Sequence, residues 1–203
     1  TTIPPIHVAL MGIERVVPTI EDLEIMLQVL PRSATGQKLT AYTNIITGPR
    51  RRSSENNLGK KTVDEPDGPD ELHVVLVDNG RSGILGSSLA EILYCVRCGA
   101  CLNACPVYQQ IGGHAYGSVY SGPMGSVLTP GLFGLELWQE LPHASTLCGA
   151  CKEVCPVRID IPRMLLELRH QATTTLPVKK FFRISIALYR HLAVRPWLFR
   201  LTR

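Results

Sequence analysis

Seven cysteines stand in two groups, and their spacing constrains this chain more than any other feature. The groups are Cys95-x2-Cys98-x2-Cys101-x3-Cys105-Pro and Cys148-x2-Cys151-x3-Cys155-Pro. The first is the run by which bacterial ferredoxins hold iron–sulfur clusters, and its fourth cysteine ligates the other of two clusters. Three closely spaced thiolates wrap a short loop around one cluster, while the fourth is carried away on the start of a helix. The spacing therefore predicts two clusters with crossed ligands.

The crossed pattern divides the cysteines into four and three. We expect cluster 1 to be held by Cys95, Cys98, Cys101 and Cys155, and cluster 2 by Cys105, Cys148 and Cys151. A complete repeat would place a fourth cysteine at position 145, where the chain has Ser145. Two interpretations stay open for cluster 2: a [3Fe–4S] centre, or a [4Fe–4S] centre whose fourth iron is held by Ser145, His143, water or a partner subunit. We favour two [4Fe–4S] clusters.

Other uses of cysteine fit this pattern less well. Structural zinc takes four ligands in paired arrangements, without a triplet that ends in Cys-Pro. Disulfides suit small secreted scaffolds, and no secretory leader is visible at the start of the sequence. A catalytic thiol needs one activated cysteine and not two ordered groups. We therefore expect iron–sulfur binding and electron transfer; the alternative is a pair of clusters that only stabilises the fold.

Composition excludes several other classes of protein. Apolar residues make up 45% of the 203 residues, which excludes disorder of the whole chain. No stretch reaches the roughly 18 uncharged apolar residues of a membrane span. Residues 172–203 hold seven basic residues and no acid, and no basic face is evident elsewhere, so we expect no nucleic-acid partner. We find no carboxylate pair, nucleophile triad or phosphate-binding loop and assign no catalytic residue.

The first 85 residues predict an alternating α/β structure. Strands are expected at residues 6–11, 39–46 and 72–78, the last covered on both faces. Thr19 and Asp22 form a capping-box-like pattern at the start of a helix that Pro31 is expected to end.

The residues from Gly86 onward predict short helices around the cysteines. A capping box at Ser88 and Glu91 predicts a helix running into Cys95. Asp160 is expected to cap a final helix, whose buried face is expected to consist of Met164, Leu165 and Leu168. Residues 112–134 are rich in Gly, Ser and Pro and predict an ordered loop or linker. Four of its side chains could line the clusters, although a wrapping role is favoured: His114, Tyr116, Tyr120 and Met124.

Several segments carry a resemblance that goes beyond the cysteine spacing. They are Leu93–Tyr108, Ile111–Tyr116, Tyr120–Gly125, Leu147–Pro156 and Ile159–Pro162, with His7–Pro18 and Glu71–Asp78 nearer the start. Together they resemble the iron–sulfur protein of bacterial lactate utilization (the LutB/LldF family). The similarity covers nearly the whole chain.

The resemblance implies a fold and an organisation. Residues 1–85 are expected to be the closing part of an α/β LUD domain, of the NagB/RpiA/CoA-transferase-like type. Residues 86–171 are expected to form a mostly helical ferredoxin-like domain with two Fe–S clusters. Residues 172–203 are expected to be a basic helical tail that starts a longer C-terminal region. Family members are about twice as long, so we interpret the sequence as a fragment.

The resemblance also implies a role. The chain is expected to transfer electrons in a complex that oxidises L-lactate to pyruvate, with a cysteine-rich-domain subunit and a small LUD subunit as partners. Alternatives are electron transfer for another 2-hydroxy acid such as glycolate, for heterodisulfide-type reduction, or a non-catalytic interaction or redox-sensing module. The expected location is the cytoplasm, with the basic tail as a candidate for peripheral contact with the inner face of the membrane.

Overall fold

A computed structural model describes residues 4–50, 67–175 and 180–195. They form two strands and eight α-helices: β1 (Ile6–Gly12), β2 (Glu71–Val77), α1 (Ile20–Thr35), α2 (Arg81–Leu85), α3 (Ala100–Ala104), α4 (Pro106–Ile111), α5 (Gly122–Phe133), α6 (Ala150–Glu153), α7 (Ile161–Thr175) and α8 (Lys180–Ala193). Short 3-10 turns cover Ile13–Arg15, Ala90–Tyr94, His114–Tyr116 and Leu141–His143. The described chain is therefore about half helical with a small parallel sheet.

The two strands form the sheet of the N-terminal segment, by which we mean residues 4–50 and 67–77. They pair in parallel, from Ile6 opposite Glu71 to Gly12 opposite Val77. Both strands were predicted and both are confirmed. The prediction that β2 is covered on both faces is wrong for the described residues, because Val74 and Leu76 are 56% and 55% exposed.

Helix α1 begins as the sequence predicts and ends later. The Thr19 hydroxyl accepts a hydrogen bond from the Asp22 amide at 3.2 Å, which satisfies one free N–H of the first turn. The helix continues through Pro31 to Thr35 because a proline removes only one of the successive backbone hydrogen bonds. The prediction of a strand over residues 39–46 is wrong, since these residues form no regular element.

Helices α5 and α7 form the core of the cysteine-bearing segment, residues 81–175. The loop predicted over residues 112–134 is wrong for its second half, where α5 has both Val127 and Leu128 buried. Helix α7 agrees with its prediction: the Asp160 carboxylate accepts from the Arg163 amide at 3.3 Å. The predicted buried face is confirmed, since three side chains are at most 2% exposed: Met164, Leu165 and Leu168.

The helix predicted from Ser88 is replaced by the 3-10 turn at Ala90–Tyr94. The Ser87 hydroxyl, and not that of Ser88, accepts the nearby amide of Leu89 at 3.1 Å. Glu91 turns away from its own segment and accepts from the Arg163 guanidinium at 3.1 Å. This contact ties the turn before the first cysteine to α7.

Helix α8 carries the basic tail that the sequence predicts, as far as the structure describes it. The aromatic side chains of Phe181, Phe182 and Tyr189 are exposed. Within the described residues, no helix is both long and apolar enough to span a membrane.

Candidate iron–sulfur sites

A cavity of about 520 Å³ brings together cysteines from both groups. Its walls include four of the seven: Cys95, Cys98, Cys101 and Cys155. Cys95 and Cys98 precede α3 and Cys101 lies in its first turn, while Cys155 lies 54 positions beyond Cys101 in the sequence, after α6. The chain thus brings together the set of thiols predicted for cluster 1. We call this space cavity 1.

A smaller cavity contains the other three cysteines. Its walls include Cys105 with Cys148 and Cys151, and Ser145 stands beside them. Cys148 is exposed at the protein surface whereas Cys105 and Cys151 are buried. The described residues lining this space do not include His143. Of the two side chains considered as a fourth ligand, the structure therefore brings Ser145 to the site; we call the space cavity 2.

Ser145 occupies the position in the second loop that Cys95 occupies in the first. The Arg97 amide donates to Cys95 Sγ at 3.4 Å, and the Leu147 amide donates to Ser145 Oγ at 3.1 Å. Both donors have a positive φ, 61° for Arg97 and 57° for Leu147, which is uncommon outside glycine. The two loops therefore share one backbone conformation, with a hydroxyl in place of a thiol.

Backbone amides point at the sulfur atoms of further cysteines. The Tyr108 amide lies 3.5 Å from Cys105 Sγ, where Cys105 caps helix α4. The Ile159 amide lies 3.4 Å from Cys155 Sγ. Hydrogen bonds to sulfur stabilise the thiolate form that ligates iron and adjust the potential of a cluster. The donor set therefore fits an iron–sulfur group.

The protonation of the thiols follows their burial. Burial raises the pKa of Cys101 to about 12 and that of Cys151 to about 11. The pKa of the exposed Cys148 is lowered, first by a hydrogen bond from the Ala150 amide. Iron must displace protons from the buried thiols, so loading releases protons to solvent. Within the described residues, no three His, Cys, Asp or Glu side chains converge on a point that could hold a single metal ion.

Helix α5 and the turn before it separate the two cavities. Pro123 lines cavity 2, and the next residue, Met124, lines cavity 1 together with Tyr120. Tyr116 is 3% exposed, and its hydroxyl has no hydrogen-bond partner among the described residues. Burial, and then the nearby charge of Cys105, raise the pKa of Tyr116 to about 12. This phenol is a buried donor beside a cysteine of cavity 2, whereas His114 is exposed.

The N-terminal segment also contributes to cavity 1, which sequence reasoning missed. Gly12, Glu14 and Arg15 line the cavity. The Arg15 guanidinium donates to the carbonyl of Cys95 at 2.8 Å, a contact between residues 80 positions apart. The available signal was their position directly after a parallel strand, since ligand sites of α/β sheets lie outside the carboxyl ends of the strands.

Comparison with known protein families agrees with this architecture. The 4Fe-4S dicluster domain matches residues 91–159, and the LUD domain matches residues 1–77. The chain is therefore an iron–sulfur protein that joins LUD sequence to a 4Fe-4S dicluster domain. This confirms the prediction of iron–sulfur binding and the coarse order of the two folds.

Curated relatives carry a more specific name than the two domains. The chain is 54% identical over 169 residues to lactate utilization protein B of Macrococcus caseolyticus and 52% identical over 169 residues to that of Anoxybacillus flavithermus. These matches cover 83% of this chain, and 33% and 34% of the two relatives. Over this stretch the chain is similar to these proteins, and it spans about one third of their length. No solved structure matches it.

Proposed function

We propose that this chain is the electron-transferring part of a complex that oxidises L-lactate to pyruvate. The observation that carries the proposal is the sorting of seven cysteines into two adjacent cavities by crossing of the two sequence groups. The relatives' name, lactate utilization protein B, supports the substrate. Oxidation of lactate to pyruvate releases two electrons and two protons, and bound iron–sulfur clusters supply one-electron carriers for such a reaction.

The proposed ligands follow the cavities. Cluster 1 is held by the four cysteines of cavity 1, and cluster 2 by the three of cavity 2. The two sites lie close enough to interact: after burial and the charge of Cys95, the charge of Cys151 contributes to the raised pKa of Cys101. Consecutive residues at the start of α5 line the two sites, Pro123 at cavity 2 and Met124 at cavity 1, and this closeness favours short-range transfer between them.

Ser145 is the proposed non-cysteine ligand of a [4Fe–4S] cluster 2. Its support is the hydrogen bond from the Leu147 amide, which matches the bond that the Arg97 amide donates to Cys95. A hydroxyl at a cluster corner is a harder ligand than a thiolate. Replacing it should therefore change the magnetic signature of cluster 2 without affecting cluster 1.

The proposed partners are a cysteine-rich-domain subunit and a small LUD subunit. Cavity 2 faces them best, because Cys148 and Thr146 are exposed there. Cavity 1 is lined instead by Arg15 and its neighbours in the N-terminal segment. Electrons are therefore proposed to enter or leave the chain at cluster 2.

Anaerobic purification followed by iron and sulfide analysis tests the cluster assignment. Two [4Fe–4S] clusters predict about eight irons per chain, and a [3Fe–4S] cluster 2 predicts about seven. Electron paramagnetic resonance during redox titration then assigns each signal, with Ser145→Ala compared with Ser145→Cys. About four irons per chain, or clusters that resist reduction throughout the physiological range, would contradict the relay.

Growth of a deletion strain tests the substrate. The strain should lose growth on L-lactate and recover it with the full-length gene, but not with the gene carrying Cys98→Ser. Normal growth on lactate with loss on glycolate would transfer the proposal to another 2-hydroxy acid. Growth on lactate restored by the Cys98→Ser gene would favour a role in assembly or regulation.

A further inference from the structure

Four charged side chains meet beside cavity 1, and three of them line it. The Glu14 carboxylate is 7% exposed, and its Oε2 lies 2.6 Å from Nε of Arg81. Its Oε1 lies 3.8 Å from Nε of Arg15 and 4.0 Å from Nη2 of Arg97. One carboxylate thus holds three guanidinium groups, and the cluster of side chains keeps a net positive charge at neutral pH.

Two of these guanidinium groups are fixed against cavity 1 by further contacts. Arg15 donates to the carbonyl of Cys95 at 2.8 Å. Arg97 stacks over the Tyr120 ring at 4.4 Å from its centroid and contacts Met124 Sδ at 3.3 Å. Both arginines line the cavity. Their positive charges therefore cannot swing away into solvent without breaking these bonds.

The wall of cavity 2 carries no charged side chain. Among the described residues that line it, none is Asp, Glu, Lys or Arg. Outside this lining, the Arg169 guanidinium donates to the carbonyl of Ser145 at 2.8 Å, as that of Arg15 does to the carbonyl of Cys95. Each site therefore has its own arginine, and the arginines that line cavity 1 act on cavity 1. A positive charge stabilises the more negative, reduced form of a cluster, and the effect is strong where water is excluded.

We infer that Arg15 raises the reduction potential of cluster 1 and not that of cluster 2. The residue comes from the N-terminal segment and acts through its positive charge. The inference rests on the proposed function in one respect, namely that cavity 1 holds a redox-active cluster. Glu14 orients the Arg15 guanidinium. Arg97, from the cysteine-bearing segment, adds a second positive charge beside cluster 1. The N-terminal segment then supplies charge that acts on cluster 1, in addition to packing beside it.

The test is an anaerobic redox titration of the full-length protein, followed by electron paramagnetic resonance of both clusters. Arg15→Gln removes the charge and keeps a hydrogen-bond donor, while Arg15→Lys keeps the charge. Arg32→Gln is the matched control, because Arg32 lies in the same N-terminal segment, is exposed on α1 and lines neither cavity. Cluster 2 serves as the internal reference in every variant.

For Arg15→Gln we expect a change on the order of tenfold in the reduction equilibrium of cluster 1, a lowering of about 59 mV for one electron. Arg15→Lys should retain most of the potential, and Arg32→Gln should leave both clusters unchanged. Equal shifts in both clusters, no shift, or the same shift for Lys and Gln would overturn the inference. Absence of clusters from the unmodified protein would instead refute the proposed function, so the two failures are distinguishable.

Discussion

Gly125 permits the closest backbone approach around α5, and replacing it with alanine is the sharpest test of the packing. A Cβ at this position would overlap the carbonyl of Tyr120 and stand 3.2 Å from the Tyr120 Cβ. The obstacle is backbone, so no side-chain rotation relieves it. Overpacking of this kind costs about 3 kcal/mol, at the upper end of its usual range.

Alanine also favours the helix over glycine by about 1 kcal/mol, so the net loss for Gly125→Ala is about 2 kcal/mol. For a unit of roughly 60–100 residues, this corresponds to a melting temperature lower by about 8–16 °C. Gly83→Ala in α2 is the matched control, because an added Cβ would meet nothing within 4 Å there and the φ of Gly83 is ordinary. It should stabilise the chain by about 0.5–1 kcal/mol.

The assay is thermal unfolding of both variants under anaerobic conditions, followed by circular dichroism, with iron per chain measured beforehand. Gly125→Ala should melt earlier and retain less iron, because α5 lines both cavities. Gly83→Ala should keep the iron content of the unmodified protein. Equal melting temperatures for Gly125→Ala and the unmodified chain would refute the reasoning, as would an equal loss in Gly83→Ala.

Two further predictions concern α7. Leu165→Ala should lower the free energy of unfolding in urea by about 2–5 kcal/mol, because Leu165 is fully buried. Leu166→Ala, at a position 53% exposed, should lower it by less than about 0.5 kcal/mol. Equal losses for the two variants would contradict the burial of this face. The hydrogen bond from Lys152 lowers the pKa of Asp160 below its ordinary value of 3.8. The interaction therefore stabilises the folded chain above pH 3.8, and this stabilisation is lost as the pH falls through the pKa of the folded state. Asp160→Asn should therefore weaken the fall of the melting temperature at acid pH. Parallel curves of melting temperature against pH for the variant and the unmodified chain would contradict this prediction.

Local signals predicted the parts of the structure that depend on neighbouring residues. The cap at Thr19 needs only the Asp22 amide three residues on, and the buried face of α7 repeats at helical spacing. The cysteine sets were predictable for a similar reason, because ligand spacing reflects the geometry of the group that is bound. Strand positions followed from short apolar runs, although their exposure did not.

The features that escaped prediction depend on distant residues. The hydrogen bond from Arg15 to the carbonyl of Cys95 joins two segments of the chain. The local sequence of neither segment indicates how the two lie relative to each other. Pro31 lies within α1 because the cost of one lost hydrogen bond was not enough to end the helix. The strand expected over residues 39–46 shows the reverse case, since β-branched composition needs a partner to pair with, and these residues pair with no strand in the part of the chain that the structure describes.

Helix α5 shows why a composition rich in glycine and proline misled the prediction. These residues normally indicate a loop, yet here glycine lets a helix approach other backbone and side chains on several sides at once. Gly125 faces the Tyr120 carbonyl, and a Cβ at Gly131 would stand 3.2 Å from the Ile84 Cδ1. The helix needs small side chains because it lies between two cavities and also packs against the core. Its small residues are therefore a consequence of its place between the cysteine sets, and a bulkier helix would push those sets apart.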